Sequence, residues 1–281
     1  MSSPLASGHV TPLVMGVLNV TPDSFSDGGQ YLDPNTAYER GVEMFEQGAA
    51  IVDVGGESTR PGAEPVPVDE ELRRVIPVIE RLADHGRVSV DTRKEKVARE
   101  AVAAGATLIN DVSASLWNVA AECSVGWVAM HMRGEPRTMQ DHPTYREVVC
   151  EVRDFLVERA EAARRAGVEE VWIDPGIGFG KLPHHNLMLL KHVGVLVESG
   201  FPVLVGTSRK SFIGLLHSES DRSGEPPPPT DRLEGSIATA VWALLKGARM
   251  VRVHDVEATV QAVRVIAGRV PGDVDQEEGA L

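Results

Sequence analysis

Short apolar runs alternate with longer amphipathic segments along most of the chain. Runs that are almost wholly apolar are typical of strands buried on both faces. They lie at Val14–Leu18, Ile51–Val54, Val88–Val90, Thr107–Ile109, Trp127–Met130, Val171–Ile173, Val203–Val205 and Met250–Val253. Helical spacing of apolar residues falls between them, at Asn35–Gln47, Asp69–Ala83, Lys94–Ala104, Tyr145–Ala166, His185–Glu198, Asp231–Lys246 and Glu257–Ala267. The interval Ser115–Ser124 leaves room for only a short helix.

Strands that alternate with helices predict a parallel sheet. Eight such units in one chain favour a closed (β/α)8 TIM barrel over an open sheet. We predict a flexible N-terminus over residues 1–12, one barrel over 13–269 and an acidic disordered tail over 270–281. The proline-rich insertion Ser218–Thr230 is predicted to be a mobile surface loop.

Polar residues follow the predicted strands, where a barrel carries its working face. The strands run in turn into Asn19, Asp53, Asp91, Asn110-Asp111, His131, Asp174, a Thr-Ser-Arg-Lys-Ser segment, and Arg252 with His254. Turn formation explains any one of these residues, because Asx and Ser residues are common in turns. It explains the whole series poorly, so we predict a functional site at this end of the barrel.

The residue types indicate what this site binds. Asp91, Asn110 and Asp174 supply hydrogen-bond acceptors and one amide donor, which suits a ring edge rich in N–H groups, such as an amino-pyrimidine. A glycosidase-like carboxylate pair and simple strand-end caps are the alternatives.

Cationic and hydroxyl residues predict a phosphate site beside it. Lys210, Arg60, Arg252 and His254 form the cationic complement, together with Thr59, Ser208 and the Gly28-Gly29 and Gly55-Gly56 loops. A Mg²⁺ ion with Asn19 as its protein ligand is compatible, since Mg²⁺ often keeps water and phosphate ligands. Ordinary surface charges are the alternative for Arg60 and Lys210, and a satisfied strand-end histidine is the alternative for His254. The Gly-Ile-Gly-Phe-Gly-Lys segment lacks the spacing of a nucleotide-binding loop.

The composition of the chain argues against some classes of partner. The chain has 281 residues and a net charge of −13, which argues against a general nucleic-acid partner. No segment has the apolar length of a membrane span, and no signal peptide is evident, so we expect a cytoplasmic protein. Cys123 and Cys150 match no metal or disulfide pattern and are expected to be reduced, packed thiols.

Nine segments in series resemble the signatures of the dihydropteroate synthase family of pterin-binding enzymes, from Met15 to about Ile266. They are GVLNVTPDSFSDGG at 16–29, DVGGESTRPGA at 53–63, SVDT at 89–92, INDVSA at 109–114, MHMRGEPRTMQ at 130–140, DPGIGFGK at 174–181, GTSRKSF at 206–212, DRLEGS at 231–236 and VRVHDV at 251–256.

The resemblance implies a role for each matching residue. Asp91, Asn110, Asp174 and Lys210 would bind a pterin ring, Met130, Phe179 and Gly206 would line its pocket, and Arg252 would stack on it. Asn19, Thr59, Arg60, Arg252 and His254 would handle pyrophosphate, with Mg²⁺ on Asn19. Phe25, Thr59, Arg60, Pro61, Phe179, Lys210 and Ser211 would surround 4-aminobenzoate. Mobile loops after the first two strands would close over the site.

The family's reaction joins 6-hydroxymethyl-7,8-dihydropterin pyrophosphate to 4-aminobenzoate, with release of pyrophosphate, in folate biosynthesis. For this chain, the resemblance implies that Arg252, His254, Lys210 and Asp91 act in catalysis, that the protein is a homodimer and that sulfonamides compete with 4-aminobenzoate. A methyltetrahydrofolate:corrinoid methyltransferase and a non-catalytic pterin-binding paralogue are the alternative functions. Two segments depart from the family pattern: Ala114–Trp117 is short, and the insertion Ser218–Thr230 is long.

Overall fold

The computed structural model describes residues 11–21, 34–58, 62–135, 137–221 and 224–268. Its strands are β1 (Leu13–Asn19), β2 (Ile51–Gly55), β3 (Arg87–Asp91), β4 (Leu108–Asp111), β5 (Gly126–Met130), β6 (Val171–Asp174), β7 (Leu204–Val205) and β8 (Met250–Val253). Its helices are α1 (Pro34–Glu46), α2 (Val68–Leu82), α3 (Glu95–Ala103), α4 (Trp117–Cys123), α5 (Val148–Arg165), α6 (Pro183–Lys191), α7 (Val193–Val197), α8 (Ser211–Asp221), α9 (Leu233–Leu245) and α10 (Val256–Ile266).

The strands form one parallel sheet in the order β6-β5-β4-β3-β2-β1-β8-β7. A single bridge between Ile173 and Val203 joins β6 to the segment before β7, where the sheet closes on itself. The (β/α)8 barrel predicted from the sequence is therefore confirmed. The predicted mobile loops after β1 and β2 include residues 22–33 and 59–61, which lie outside the described residues.

Two apolar clusters hold the barrel together. The larger one packs the outer faces of the strands against the helices, through residues such as Val52, Val54, Val88 and Val90. The smaller one fills the barrel interior and consists of Met15, Ile51, Leu108, Val128, Trp172, Leu204 and Met250. Because side chains alternate between the two faces of a strand, every strand except β3 contributes to both clusters. The interior cluster forms a solid floor below the carboxyl ends of the strands.

Three features differ from the sequence prediction. Helix α8 occupies Ser211–Asp221, where the spacing of apolar residues predicts no helix, so the first part of the insertion Ser218–Thr230 is helical rather than a loop. The helix predicted at His185–Glu198 is divided into α6 and α7 at His192. Cys150 is exposed, so the prediction of two packed thiols is wrong for this residue.

The described helices include none with the length and apolar character needed to cross a membrane. The predicted flexible N-terminus and the predicted acidic tail lie almost wholly outside the described residues, so both remain predictions.

Candidate active site at the carboxyl ends of the strands

The interior floor of the barrel identifies the residues that face the site. In a strand, the residue two positions further on points to the same side. Two positions beyond Ile51, Leu108, Val128, Trp172, Leu204 and Met250 stand Asp53, Asn110, Met130, Asp174, Gly206 and Arg252. On β2, β4, β6 and β8 the change from apolar to polar residues therefore occurs at this one step, and it creates a polar chamber above an apolar floor.

Arg252 is the centre of the hydrogen bonding in this chamber. Its Nε donates to Asp53 Oδ2 at 2.6 Å, and its Nη2 donates to Asp91 Oδ2 at 2.7 Å. Asn110 Nδ2 donates to the same oxygen of Asp53 at 2.8 Å. Side chains from β2, β3, β4 and β8 are thereby joined, although Arg252 and Asp53 lie 199 residues apart in the chain.

Burial controls the ionisation of the two carboxyl groups that were predicted to bind a ring. Desolvation raises the pKa of Asp91 to about 7, and the charge of Arg252 limits this increase while Asp53 adds to it. Desolvation also raises the pKa of Asp174 to about 6, against the hydrogen bond from Gly176 N and the charges of Lys210 and Arg252. Burial opposes the charge of Arg252, but Asp53 and Asp91 outweigh this effect and raise its pKa.

Lys210 faces the same chamber from the segment after β7. Its Nζ lies 4.0 Å from the centroid of the Phe179 ring, and its charge acts on both Asp91 and Asp174. Gly178 makes room for it, because a Cβ at this position would stand 3.1 Å from Lys210 Cδ on a backbone with φ of +85°. The structure therefore brings Asp91, Asn110, Asp174 and Lys210 to one chamber.

One wall of the chamber is apolar. Met130, Phe179, Val112 and Met139 form a separate buried cluster next to it, with Met132 packed against them. A flat ring could therefore rest against apolar side chains while the carboxyl groups contact its edge, which is the usual construction of a small-molecule site.

Lys181 holds the loop after β6 in place. It ends the Gly-Ile-Gly-Phe-Gly-Lys segment, which lacks the spacing of a nucleotide-binding loop. Lys181 is 2% exposed, and its Nζ donates to the carbonyl oxygens of Gly176 and Phe179 at 2.9 and 3.0 Å. It also lies 2.9 Å from His131 Nδ1, and burial lowers the pKa of that imidazole to about 3, so the ring is neutral at pH 7. Gly176 is required here, since a Cβ would stand 1.9 Å from the carbonyl oxygen of His131.

His254 and Ser208 form a second polar group at the end of β8. Ser208 Oγ lies 3.1 Å from His254 Nδ1 and accepts a hydrogen bond from His254 N at 3.2 Å. Burial and the charges of Arg209, Arg252 and Lys210 lower the pKa of His254 to about 3. The imidazole is therefore neutral at pH 7 in the ligand-free protein.

The remaining predicted residues are distributed as follows. Asn19 is half-buried at the end of β1, where it pairs in register with Gly55 of β2. Ser211 is exposed and begins α8, directly after Lys210. Phe25, Thr59, Arg60 and Pro61 lie outside the described residues.

Two of the contacts that shape the site were not predicted. Gln140 Nε2 donates to the carbonyl oxygen of Gly178, and Gly178 N donates to Asn186 Oδ1, both at 2.8 Å. No local signal marks these residues, because both bonds join segments that meet only in the folded chain.

The short segment after Asn110 is held by side-chain hydrogen bonds. The carboxylate of Asp111 accepts bonds from Ser115 N and Leu116 N at 2.7 Å each.

Comparisons with known proteins agree with this geometry. A sequence model described as pterin binding enzyme matches residues 15–254. The dihydropteroate synthase of Escherichia coli (strain K12) is 46% identical over 263 residues, which cover 91% of this chain and 90% of that protein. The structure of Xanthomonas albilineans dihydropteroate synthase with 4-aminobenzoic acid has a TM-score of 0.84 at 48% identity, covering 92% of this chain and 93% of that one. The structure of the Thermus thermophilus enzyme in complex with 6HMPPP has a TM-score of 0.77 at 43% identity, covering 92% and 93%.

Proposed function

The chain belongs to the dihydropteroate synthase family of pterin-binding enzymes, and we propose that it joins 6-hydroxymethyl-7,8-dihydropterin pyrophosphate to 4-aminobenzoate. The products are 7,8-dihydropteroate and pyrophosphate. The observation that carries this function is the convergence of Asp91, Asn110, Asp174 and Lys210 on one chamber, in a chain that is 46% identical to a dihydropteroate synthase along 91% of its length.

The chamber suits the pterin ring on two grounds. Its carboxylates and the Asn110 amide can satisfy the N–H donors and ring acceptors of an amino-pyrimidine edge, and a buried site of this kind discriminates strongly against rings that leave it unpaired. Phe179 and Met130 provide the apolar wall, while Gly206 leaves space beside Arg252, whose guanidinium would stack on the ring.

The pyrophosphate would lie above the ring, towards the ends of β1 and β8. Arg252 lies on β8, His254 follows directly after it, and Asn19 ends the neighbouring strand β1. A neutral His254 can donate from Nε2 if Ser208 donates to its Nδ1, and the arriving negative charge would raise the pKa of the ring. Thr59 and Arg60 would complete this part of the site.

A Mg²⁺ ion fits the described residues as a ligand shared with the substrate. Among them there is no group of three His, Cys, Asp or Glu side chains that could hold a metal alone. The amide oxygen of Asn19 would be the protein ligand, and phosphate oxygens and water would complete the shell, as Mg²⁺ prefers. When bound, the ion supplies positive charge to the departing pyrophosphate.

The second substrate, 4-aminobenzoate, would enter beside Lys210 and Ser211. Ser211 begins α8, an 11-residue helix whose first N–H groups favour a carboxylate. Phe179 would contact the benzene ring from below, and Phe25, Thr59, Arg60 and Pro61 would close the site from above.

The reaction needs little proton transfer from the protein. The bond between the pterin methylene carbon and the pyrophosphate oxygen breaks with its electron pair on oxygen, and the arylamine nitrogen forms the new bond to carbon. The arylamine is neutral at pH 7, and the proton it loses passes to the pyrophosphate or to water. The protein therefore contributes mainly by stabilising the leaving group, orienting the amine and excluding water.

An assay of pyrophosphate release tests this function. The purified protein should release pyrophosphate only when the pterin pyrophosphate, 4-aminobenzoate and Mg²⁺ are all present, and EDTA should abolish the release. A sulfonamide should raise the apparent KM for 4-aminobenzoate without a change in kcat. Folded protein that binds the pterin but releases no pyrophosphate would instead be a non-catalytic pterin-binding paralogue.

The pH dependence of pterin binding follows from the buried carboxyl groups. A ring that donates N–H bonds to Asp91 binds its ionised form, whose pKa is about 7 in the empty chamber. Affinity should therefore fall by about tenfold for each pH unit between about 7 and 6, and more steeply below about 6, where Asp174 is protonated as well. Calorimetry with 6-hydroxymethylpterin, which carries no phosphate to titrate, measures this directly. An affinity that rises on acidification would contradict the assigned acceptor.

We further propose that two copies of the chain associate through α6, α8 and α9. Trp242 Nε1 of α9 donates to the carbonyl oxygen of Leu190 in α6, and Gly235 of α9 packs against Ile213 of α8, so the three helices are neighbours. Their outer faces expose large apolar side chains, namely Leu187, Met188, Leu215, Leu216, Trp242 and Leu245. Large apolar side chains exposed on neighbouring helices are typical of a homodimer interface.

Sedimentation of a charged variant tests the dimer. The wild type should sediment with twice the mass of the chain, and the double variant Met188→Glu, Leu216→Glu should sediment as a monomer. The control is Val265→Glu on α10, which changes another exposed apolar residue (79% exposed) outside the patch and should leave the dimer intact. A monomeric wild type at micromolar concentration would exclude this interface.

A further inference from the structure

Asp53 stands at the base of the chamber, although neither the family resemblance nor the predicted site assigned a specific role to it. It lies two positions beyond Ile51 on β2 and therefore faces the barrel interior at the level where the polar chamber begins. It is completely buried. One of its oxygens, Oδ2, accepts hydrogen bonds from both Arg252 Nε and Asn110 Nδ2, at 2.6 and 2.8 Å.

We propose that Asp53 is a positioning residue of the reaction, which holds Arg252 and Asn110 in place for the pterin substrate. This inference rests on the proposed function. Its two partners are residues assigned to the ring, one on its edge and one on its face, and Asp53 connects them through a single carboxylate oxygen.

The arrangement explains how Arg252 stays in place when substrate enters. In the ligand-free chamber, Arg252 divides its donors between Asp53 and Asp91. A ring that takes Asp91 as its acceptor competes with Arg252 Nη2 for the same carboxylate. The Nε bond to Asp53 is unaffected by this exchange, so the guanidinium remains anchored beside the ring while Asp91 changes partner.

The charges around Asp53 point to function rather than to stability. Among the described residues, Asp53, Asp91 and Asp174 face Lys210 and Arg252, Lys181 also acts on Asp174, and Glu71 behind Asp91 is paired with Lys94. Because burial lowers the pKa of Lys181, its positive charge is disfavoured, and the chamber carries an excess negative charge when all three carboxyl groups are ionised. Burying such a charge is costly, and a neutral residue at position 53 would relieve it.

An unpaired oxygen supports the same conclusion. Within the part of the chain that the structure describes, Asp53 Oδ1 is buried without a hydrogen-bond partner. An unpaired buried acceptor lowers the free energy of unfolding by about 1–3 kcal/mol. This oxygen of Asp53 therefore does not stabilise the fold.

Asp111 provides the contrast on a neighbouring element. It is equally buried, but its carboxylate accepts bonds from the backbone N–H groups of Ser113, Ser115 and Leu116 and from Trp127 Nε1. These contacts are local or on the outer side of the barrel, away from the chamber. Asp111 is a structural carboxylate, and it is therefore the matched control for Asp53.

The test compares Asp53→Asn with Asp111→Asn in the full chain. For Asp53→Asn we expect a thermal midpoint close to that of the wild type and kcat/KM for the pterin pyrophosphate lowered by about 10- to 100-fold, which is the effect of losing one charged hydrogen bond. KM for 4-aminobenzoate should change little. For Asp111→Asn we expect the opposite pattern, with a lower thermal midpoint and nearly unchanged kcat/KM.

The pH profile of pterin binding separates positioning from a general loss of structure. The negative charge of Asp53 is one of the causes that raise the pKa of Asp91, so its removal should move the acidic limb of 6-hydroxymethylpterin binding to lower pH. Asp111→Asn should leave that limb where it is.

The outcomes are distinct. If the wild type is active and Asp53→Asn has the same kcat/KM and the same pH dependence of pterin binding as the wild type, the inference is wrong and the proposed function stands. An inactive wild type overturns the proposed function itself. Asp53→Ser is a second variant without an amide donor facing Arg252, and the same changes are expected. If both variants are unfolded by circular dichroism where Asp111→Asn is folded, Asp53 is structural and the inference is wrong.

Discussion

Replacing Asp91 with alanine should lower kcat/KM for the pterin pyrophosphate by about a thousandfold, the range expected when a buried polar site loses an acceptor that its ligand requires. Two effects add together. The ring loses its charged acceptor, and Arg252 loses one of its two carboxylate partners, which frees its Nη2 to compete for other groups in the chamber. The fold should survive, because the variant removes one of three carboxyl groups that share the two chamber cations, Lys210 and Arg252.

Calorimetry with 6-hydroxymethylpterin measures the loss of pterin binding, and a thermal melt measures whether the fold survives. The control is Asp84→Ala, which removes an exposed aspartate near the opposite end of β3 and should leave binding unchanged. Normal pterin binding by Asp91→Ala would show that the ring does not use this side of the chamber.

Replacing Lys210 with alanine should abolish measurable pterin binding and lower kcat/KM by about 100- to 1000-fold, since a charged donor and a cation–π contact are lost together. Lys210 Nζ lies 4.0 Å from the Phe179 ring, and its charge favours the ionised forms of Asp91 and Asp174. Without it, the pKa of both carboxyl groups should rise further. Fewer ionised acceptors would then remain at pH 7.

A second lysine offers a matched control for this variant. Lys246 Nζ lies 4.8 Å from the Trp242 ring on the outer surface of the barrel, so Lys246→Ala removes a similar cation–π contact outside the chamber. It should retain wild-type kinetics. Partial recovery of Lys210→Ala at higher pH, where Asp91 and Asp174 ionise again, would support the electrostatic role, and wild-type pterin affinity at pH 7 would refute it.

The barrel could be predicted because its strands are buried on both faces, so that short runs rich in apolar residues alternate with amphipathic helices. The errors have physical causes. Helix α8 was missed because its residues include Ser211 and Gly214, and Gly214 is needed for the close approach of Arg232, a contact from outside the helix. The break at His192 between α6 and α7 was missed because apolar residues continue on both sides of it, so spacing alone shows no interruption.

The chamber could be predicted in part, because the polar residues that form it stand directly at the ends of apolar strands. Asp53 could have been assigned with them, since it occupies the same interior position two residues beyond Ile51. Its bonds to Arg252 and Asn110 could not have been predicted, because they join β2 to β8 and to β4. The role of Lys181 is hidden for the same reason, as its acceptors include His131 on a distant segment.

A crystal structure of the protein with bound 6-hydroxymethylpterin tests the central claim most directly. The ring should lie between Phe179 and Arg252, with Asp91, Asn110, Asp174 and Lys210 all within hydrogen-bond distance of its edge atoms and with Arg252 Nε still bonded to Asp53. A ring bound elsewhere, or one that contacts only one of these four side chains, would contradict the account.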